Sequence, residues 1–174
     1  MCNGTKQKIA STMHEMMLRK SFDKITVKNL MDVTNMNRQS FYYHFRDTRD
    51  VLLWICQEQV FQPLSEADLE FSEWIIYGLE LLNRDRLFYM RVVSVSQTDF
   101  VREFIATAIF PRVKSQLYPE VAHLGENQTF AVDFLSNAIM DYYLRFLVSH
   151  DPLDHIDCRK KLRFLLAEVV HVNH

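Results

Sequence analysis

Residues 25–45 read Ile25-Thr26-Val27-Lys28-Asn29-Leu30-Met31-Asp32-Val33-Thr34-Asn35-Met36-Asn37-Arg38-Gln39-Ser40-Phe41-Tyr42-Tyr43-His44-Phe45. Thr26 is a side-chain N-cap for a short helix over 27–34, whose Val27, Leu30, Met31 and Val33 can form one buried stripe. Asn35-Met36-Asn37 then suits a tight turn, because Asn tolerates the left-handed backbone and also caps helices. Asn37 opens a third short helix, 38–45. There Phe41 and Phe45, four apart, can face inwards. Arg38, Gln39, Ser40, Tyr42, Tyr43 and His44 then point outwards, a set of donors and aromatic edges suited to phosphates and bases.

Working outward, 5–18 places Ile9, Met13, Met16 and Met17 at helical spacing, an amphipathic supporting helix that Ser21–Lys24 ends. Two short helices on a three-residue turn behind a supporting helix form a helix-turn-helix unit. The charge agrees: residues 1–50 hold nine Lys and Arg against five acids, a balance of +4, while 51–174 carry −6 within a total of −2. A basic head on an acidic body is expected where one end meets a polyanion.

Asp47 or Thr48 caps a fourth helix running through Val51, Leu52, Trp54, Ile55 and Val60 towards Pro63, where a helix interior would kink. Further helical stretches are expected at 66–83, 85–95, 99–118 (with Pro111 inside), 127–149 and 154–172. Only three Gly and four Pro stand among 174 residues, too few turn residues for a sandwich or barrel. The expected fold is all-α: a three-helix DNA-binding head at 1–50, a connecting helix at about 48–62, and a helical-bundle body at 51–174 for effector binding and dimerisation.

The run from Ile25 to Phe45, with Asp50-Val51-Leu52 after it, resembles the N-terminal domain of the TetR family of bacterial transcription regulators, over about residues 5–55. The short body and the Arg-Gln-Ser-Phe-Tyr helix are similar to a group of that family that includes an activator of dihydroxyacetone kinase operons. The resemblance implies about nine helices, a homodimer built from the last two, and a C-terminal ligand cavity. It makes Thr26 and Tyr42 phosphate contacts, Arg38, Gln39 and Tyr43 base readers, and His44 a backbone contact. Lys28, Asn37, Ser40 and Arg49 complete the DNA-facing set. Three positions depart from the family pattern. Thr34-Asn35 stands where an Ala-Gly pair is usual. Thr48, with Arg49 beside it, replaces a lysine. Gln39 replaces a small residue and is long enough for a bidentate contact to adenine.

In the acidic body, rings such as Phe71, Trp74, Tyr77, Phe88, Tyr89, Phe134, Tyr142, Tyr143 and Phe146 either pack a core or wall a cavity. Tyr77, Arg91 and Tyr142 are candidates for fixing a ligand's polar end. The apolar faces of 130–147 and 156–170 exceed what one body needs to cover. They point to a two-fold dimer presenting recognition helices about 34 Å apart, and so to a near-palindromic operator on double-stranded DNA. Control falls to a small-molecule effector or a protein co-regulator, of either sign. Seven histidines allow a second reading: His155 and Cys158 lie three apart, as do His171 and His174, so a metal-responsive regulator is an alternative. Another is a helical interaction module with a vestigial head.

No GxSxG, Walker loop, HExxH or paired-carboxylate motif is present, and an enzyme is not expected. No cofactor signature is read. Cys2, Cys56 and Cys158 are scattered and odd in number, fitting neither a disulfide framework nor a four-cysteine zinc site. No basic-then-apolar leader opens the chain, and no apolar run approaches the ~20 residues of a membrane span. A cytoplasmic protein is expected.

Overall fold

In the computed structural model Thr26 caps α2 (Val27–Thr34) as its sequence requires. Its Oγ1 accepts from Asn29 N and its own N–H donates to Asn29 Oδ1, both at 3.2 Å. This reciprocal pair satisfies donors that the first turn leaves without intrahelical partners. The structure describes residues 2–94, 99–149 and 151–170. Before α2 come α1 (Cys2–Met17) and a 3₁₀ turn, Phe22–Lys24. After it come α3 (Arg38–His44) and α4, which begins as Thr48–Cys56. The body holds α5 (Phe71–Arg84), α6 (Arg86–Val93), α7 (Asp99–Leu117), α8 (Glu126–Val148) and α9 (His155–Val170). Among the described residues there are nine helices and no strand, the all-α architecture expected.

The head's core is Ile9, Met13, Met17, Phe22, Ile25, Leu30, Met31, Phe41, Phe45, Val51, Leu52 and Ile55, all buried. One expectation fails here. Val33 is 62% exposed, and Thr34 takes the inner position instead. Thr34 follows Leu30 by four and shares its face, whereas Val33 lies on the flank. The buried hydroxyl is satisfied by donating to Leu30 O at 2.7 Å.

The fourth helix does not stop near Pro63. It passes through a π-turn, Gln57–Phe61, into a last α segment, Gln62–Glu66, and all three pieces are taken here as α4. Proline lacks a donor N–H and its ring excludes the carbonyl four residues back; the wider π-turn just upstream makes room for it. The next expected helix starts later than residue 66, because Ala67 is extended and α5 begins only at Phe71. Trp74 Nε1 donates to Leu64 O at 2.9 Å and so fastens the end of α4 to α5. Pro111 lies within an α7 that continues to Leu117.

The body packs α7 against α8, and α5 against both α8 and α9. The approach of α5 to α8 depends on Gly78. A Cβ there would lie 2.7 Å from Tyr143 Cζ and closer still to its hydroxyl, which donates to Ile75 O at 3.1 Å.

Candidate nucleic-acid interface

The turn between α2 and α3 is closed by backbone and side chain together. Asn35 adopts φ 55° and ψ 41°, the single left-handed non-glycine among the described residues, and its N–H donates to Met31 O. Met36 N donates to the same carbonyl at 3.1 Å. Asn is one of the few side chains that tolerate this conformation, so Asn35 does what glycine does in the family pattern. Asn37 Oδ1 then accepts from Ser40 N at 2.8 Å and starts α3, as Asp47 Oδ1 accepts from Asp50 N at 2.9 Å and starts α4.

Helix α3 is anchored by two rings. Phe41 and Phe45 are buried with centroids 5.9 Å apart, and Phe45 meets Trp54 edge-on at 6.1 Å. Lys6 Nζ sits 5.7 Å from the centre of the Phe45 ring, so this lysine already has an intramolecular role. The rest of α3 faces out. Tyr42 is 58% and Tyr43 77% exposed, Arg38 and Gln39 are exposed, and Ser40 and His44 are half-buried. Tyr43 and His44 meet edge-on at 4.9 Å. Thr26, Lys28 and Asn37 are exposed at the start of α2 and in the turn, and Arg49 is exposed in the first turn of α4. The caps use only an acceptor of Thr26 and of Asn37. The Thr26 hydroxyl proton and the Asn37 amide donors remain available to an external oxygen.

The body residues do not converge in the same way. Tyr77 lines an open groove with Glu66, Asp68, Glu73 and Glu80, whereas Tyr142 lines a separate cleft beside Leu135, Leu162 and Leu166. Arg91 is half-buried, and its Nε has no hydrogen-bond partner among the described residues. The enclosed cavity of the body measures about 40 Å³ and is lined by Cys56, Val60, Tyr89, Ile109, Tyr143 and Leu147 among others. Both tyrosines there are committed, Tyr143 to Ile75 and Tyr89 Oη to Gln59 Oε1 at 2.9 Å. Burial raises both phenols and pushes the Cys56 thiol up to about 12, so all three stay protonated. Sequence reading selected Tyr142 over Tyr143. Tyr142 lines a cleft, whereas helical phase turns Tyr143 into the core, four residues from both Ile139 and Leu147.

His155 and Cys158 do not form a pair. His155 Nδ1 faces Glu80 Oε1 at 3.2 Å, and Cys158 Sγ faces Tyr142 Oη at 3.2 Å. Among the described residues no three His, Cys, Asp or Glu side chains gather as a metal would require. His150, His171 and His174 lie outside the described residues.

No family profile matches the chain. A curated relative, the HTH-type dhaKLM operon transcriptional activator DhaS of Lactococcus lactis subsp. lactis (strain IL1403), is 23% identical over 96 residues. That match spans 53% of this chain and about half (51%) of the relative. The solved structure of a dihydroxyacetone kinase operon activator DhaS superposes with a TM-score of 0.69 at 18% identity, covering 97% of each chain. This chain has the TetR-type fold. A TetR transcriptional regulator from Streptococcus agalactiae 2603V gives a TM-score of 0.67 at 18% identity, over 95% of this chain and 94% of that one. A TetR/AcrR-family regulator from Aquifex aeolicus VF5 gives 0.59, also at 18% identity, over 95% and 99%. Within the TetR-type fold, the α2–turn–α3 unit occupies the head and α5–α9 the body. No described helix is long and apolar enough to cross a membrane.

Proposed function

We propose that this chain is a sequence-specific DNA-binding transcription regulator that works in the cytoplasm as a homodimer on a near-palindromic operator. The observation that carries the reading is α3 itself. A helix of seven residues buries Phe41 and leaves Arg38, Gln39, Tyr42 and Tyr43 in solvent, an exposure that folding does not require. Arg38, Gln39 and Tyr43 read base edges, while Thr26, Lys28, Asn37, Ser40, Tyr42, His44 and Arg49 hold phosphates. Residues 1–50 act as the head and 51–174 as the effector and dimerisation body.

The dimer is supported by apolar surface on the last two helices. Phe130 and Phe134 on α8 are 69% and 68% exposed, and Ile156, Phe164 and Leu165 on α9 are exposed too. Rings left bare at i and i+4 are what a two-fold partner covers. Control comes through the body, from a small ligand or a protein co-regulator. The enclosed cavity of about 40 Å³ is below the roughly 300–1,000 Å³ of ligand pockets, whereas the open groove at Tyr77 measures about 610 Å³, so a small ligand and a protein each have a surface on which to act. Both DhaS relatives are named as activators, so activation stands beside repression as the sign of control.

The test is selection from a random duplex library at ~0.1 M salt, where specific and non-specific binding separate. Enrichment of a near-palindrome is expected, with affinity falling steeply as salt rises. No enrichment, together with affinity indifferent to salt, would refute the reading and leave a helical interaction module.

A further inference from the structure

Helix α1 of the head crosses the body where α5 gives way to α6, and one residue, Asp85, separates those two helices. Asp85 Oδ1 accepts from Phe88 N at 3.3 Å and so caps α6. Its Oδ2 accepts from His14 Nε2–H on α1, 71 positions away in the chain. The His14 ring also lies on Phe88, centroids 4.5 Å apart, and Phe88 is fully buried. The contact is partly shielded on both sides, with His14 22% and Asp85 33% exposed, so it holds its geometry better than a free surface pair.

The next residue reaches the other way. Arg86 Nη1 donates to Asp151 O at 2.7 Å, its Nε to Leu147 O at 3.4 Å, and its Nη2 to Phe146 O at 2.5 Å and to Ser149 O. Its guanidinium also stacks 4.4 Å from the centre of the Phe146 ring. One arginine thus collects the carbonyls that the end of α8 leaves unpaired, just before the chain turns into α9. Neighbouring residues therefore grip the head's supporting helix and the end of α8. No linker lies between α5 and α6 to absorb a shift.

We propose that Asp85 and Arg86 form the joint through which the α8–α9 end of the body sets the position of the head. A change at the end of α8 moves Arg86, α6 turns with it as a rigid piece, and Asp85 carries α1 along. The consequence for operator binding rests on the regulator reading. The joint itself does not.

Two experiments separate these. In the first, spin labels are placed at exposed head and body positions, Lys24→Cys and Glu120→Cys, with Cys2 and Cys158 changed to Ser and buried Cys56 left in place. With labelled protein diluted into an excess of unlabelled protein, so that a labelled protomer is paired with an unlabelled one in any dimer, the wild-type joint is expected to give one narrow head-to-body distance. His14→Phe keeps the ring on Phe88 but removes the donor, and Asp85→Ser keeps a cap but not the reach; each should shift or broaden that distance. Arg86→Gln, which touches nothing in the head, should do the same. Should Arg86→Gln fail to fold, Arg86→Lys removes the multiple reach while keeping the charge. An unchanged distance in a folded Arg86 variant overturns the proposal. In the second, on the operator recovered by selection, Asp85→Ser should lose at least about fivefold on the full palindrome and nothing on a half-site duplex. Equal loss on both would mean a damaged head and overturn the joint. If selection yields no operator, the regulator reading fails, and the label distances still decide the joint.

Discussion

Gly78→Ala is expected to destabilise the body although alanine is the better helix former. The new Cβ would lie 2.7 Å from Tyr143 Cζ, well inside van der Waals contact, and nearer still to the phenol oxygen. Tyr143 is buried, so it cannot swing into solvent; either α5 and α8 part or the ring turns and its hydrogen bond to Ile75 O is lost. Overpacking costs about 1–3 kcal/mol. Leaving the buried phenol or carbonyl unpaired adds about 1–3 kcal/mol, and removing glycine from a helix returns about 1 kcal/mol. The net loss is about 1–5 kcal/mol, a fall in Tm of roughly 2–20 °C for a chain of this size. Tyr143→Phe alone should cost about 1 kcal/mol. Since it also removes the nearest clashing atom, Gly78→Ala/Tyr143→Phe should be more stable than the two losses predict by about 1 kcal/mol or more. Urea unfolding of the four proteins, followed by far-UV circular dichroism, measures each difference. A Gly78→Ala protein as stable as wild type, or strict additivity in the cycle, would refute the close approach of α5 to α8.

Asn35→Gly should leave stability within about 0.5 kcal/mol of wild type, whereas Asn35→Ala should lower it by about 1 kcal/mol; matching urea midpoints for the two would refute the left-handed turn. Gln39→Ala or Tyr43→Ala should flatten sequence preference on operator variants while preserving affinity for random duplex, and Tyr42→Phe should weaken all duplexes alike. Equal losses on specific and random DNA for the first pair would remove them from the base-reading set. Wild type is expected to sediment as a dimer and Phe134→Glu as a monomer; a monomeric wild type would refute the dimer, and a dimeric Phe134→Glu would remove Phe134 from its interface. Glu73 takes the Arg159 guanidinium through two hydrogen bonds, of 2.5 and 2.7 Å, which holds its carboxyl below the ordinary 4.5. A lowered carboxylate contributes fully above its unfolded value and is lost as pH falls through the lower folded one. The docking of α9 on α5 should therefore weaken in acid below about pH 4.5, and Glu73→Gln should remove that part of the pH dependence; an unchanged acid limb in Glu73→Gln would contradict it.

The head was legible because its determinants are local. Thr26, Asn37 and Asp47 announce helix starts through side chains that reach three residues ahead, and each is an observed cap. Phe41 and Phe45 are buried at the predicted spacing. Val33 misled because an eight-residue helix has too few turns for hydrophobicity alone to fix its phase. Pro63 misled because the π-turn that accommodates it leaves no mark in residue type. The body's ties were invisible for another reason. His14 to Asp85, Arg86 to the end of α8, and Tyr143 to Gly78 join residues 60 or more positions apart, and nothing in local spacing records such partners.

Helix α4 crosses from head to body as one run of helical turns, its 9-, 5- and 5-residue pieces together forming a rod of at most about 28 Å at 1.5 Å per residue. Such a rod has leverage. A tilt of about 5° at its body end displaces the other end by about 2.4 Å over that length. Hydrogen bonds to base edges tolerate only a few tenths of an ångström. On the regulator reading, a rearrangement in the body too small to change its packing would therefore be large enough, at the far end of α4, to put α3 out of register with a DNA groove.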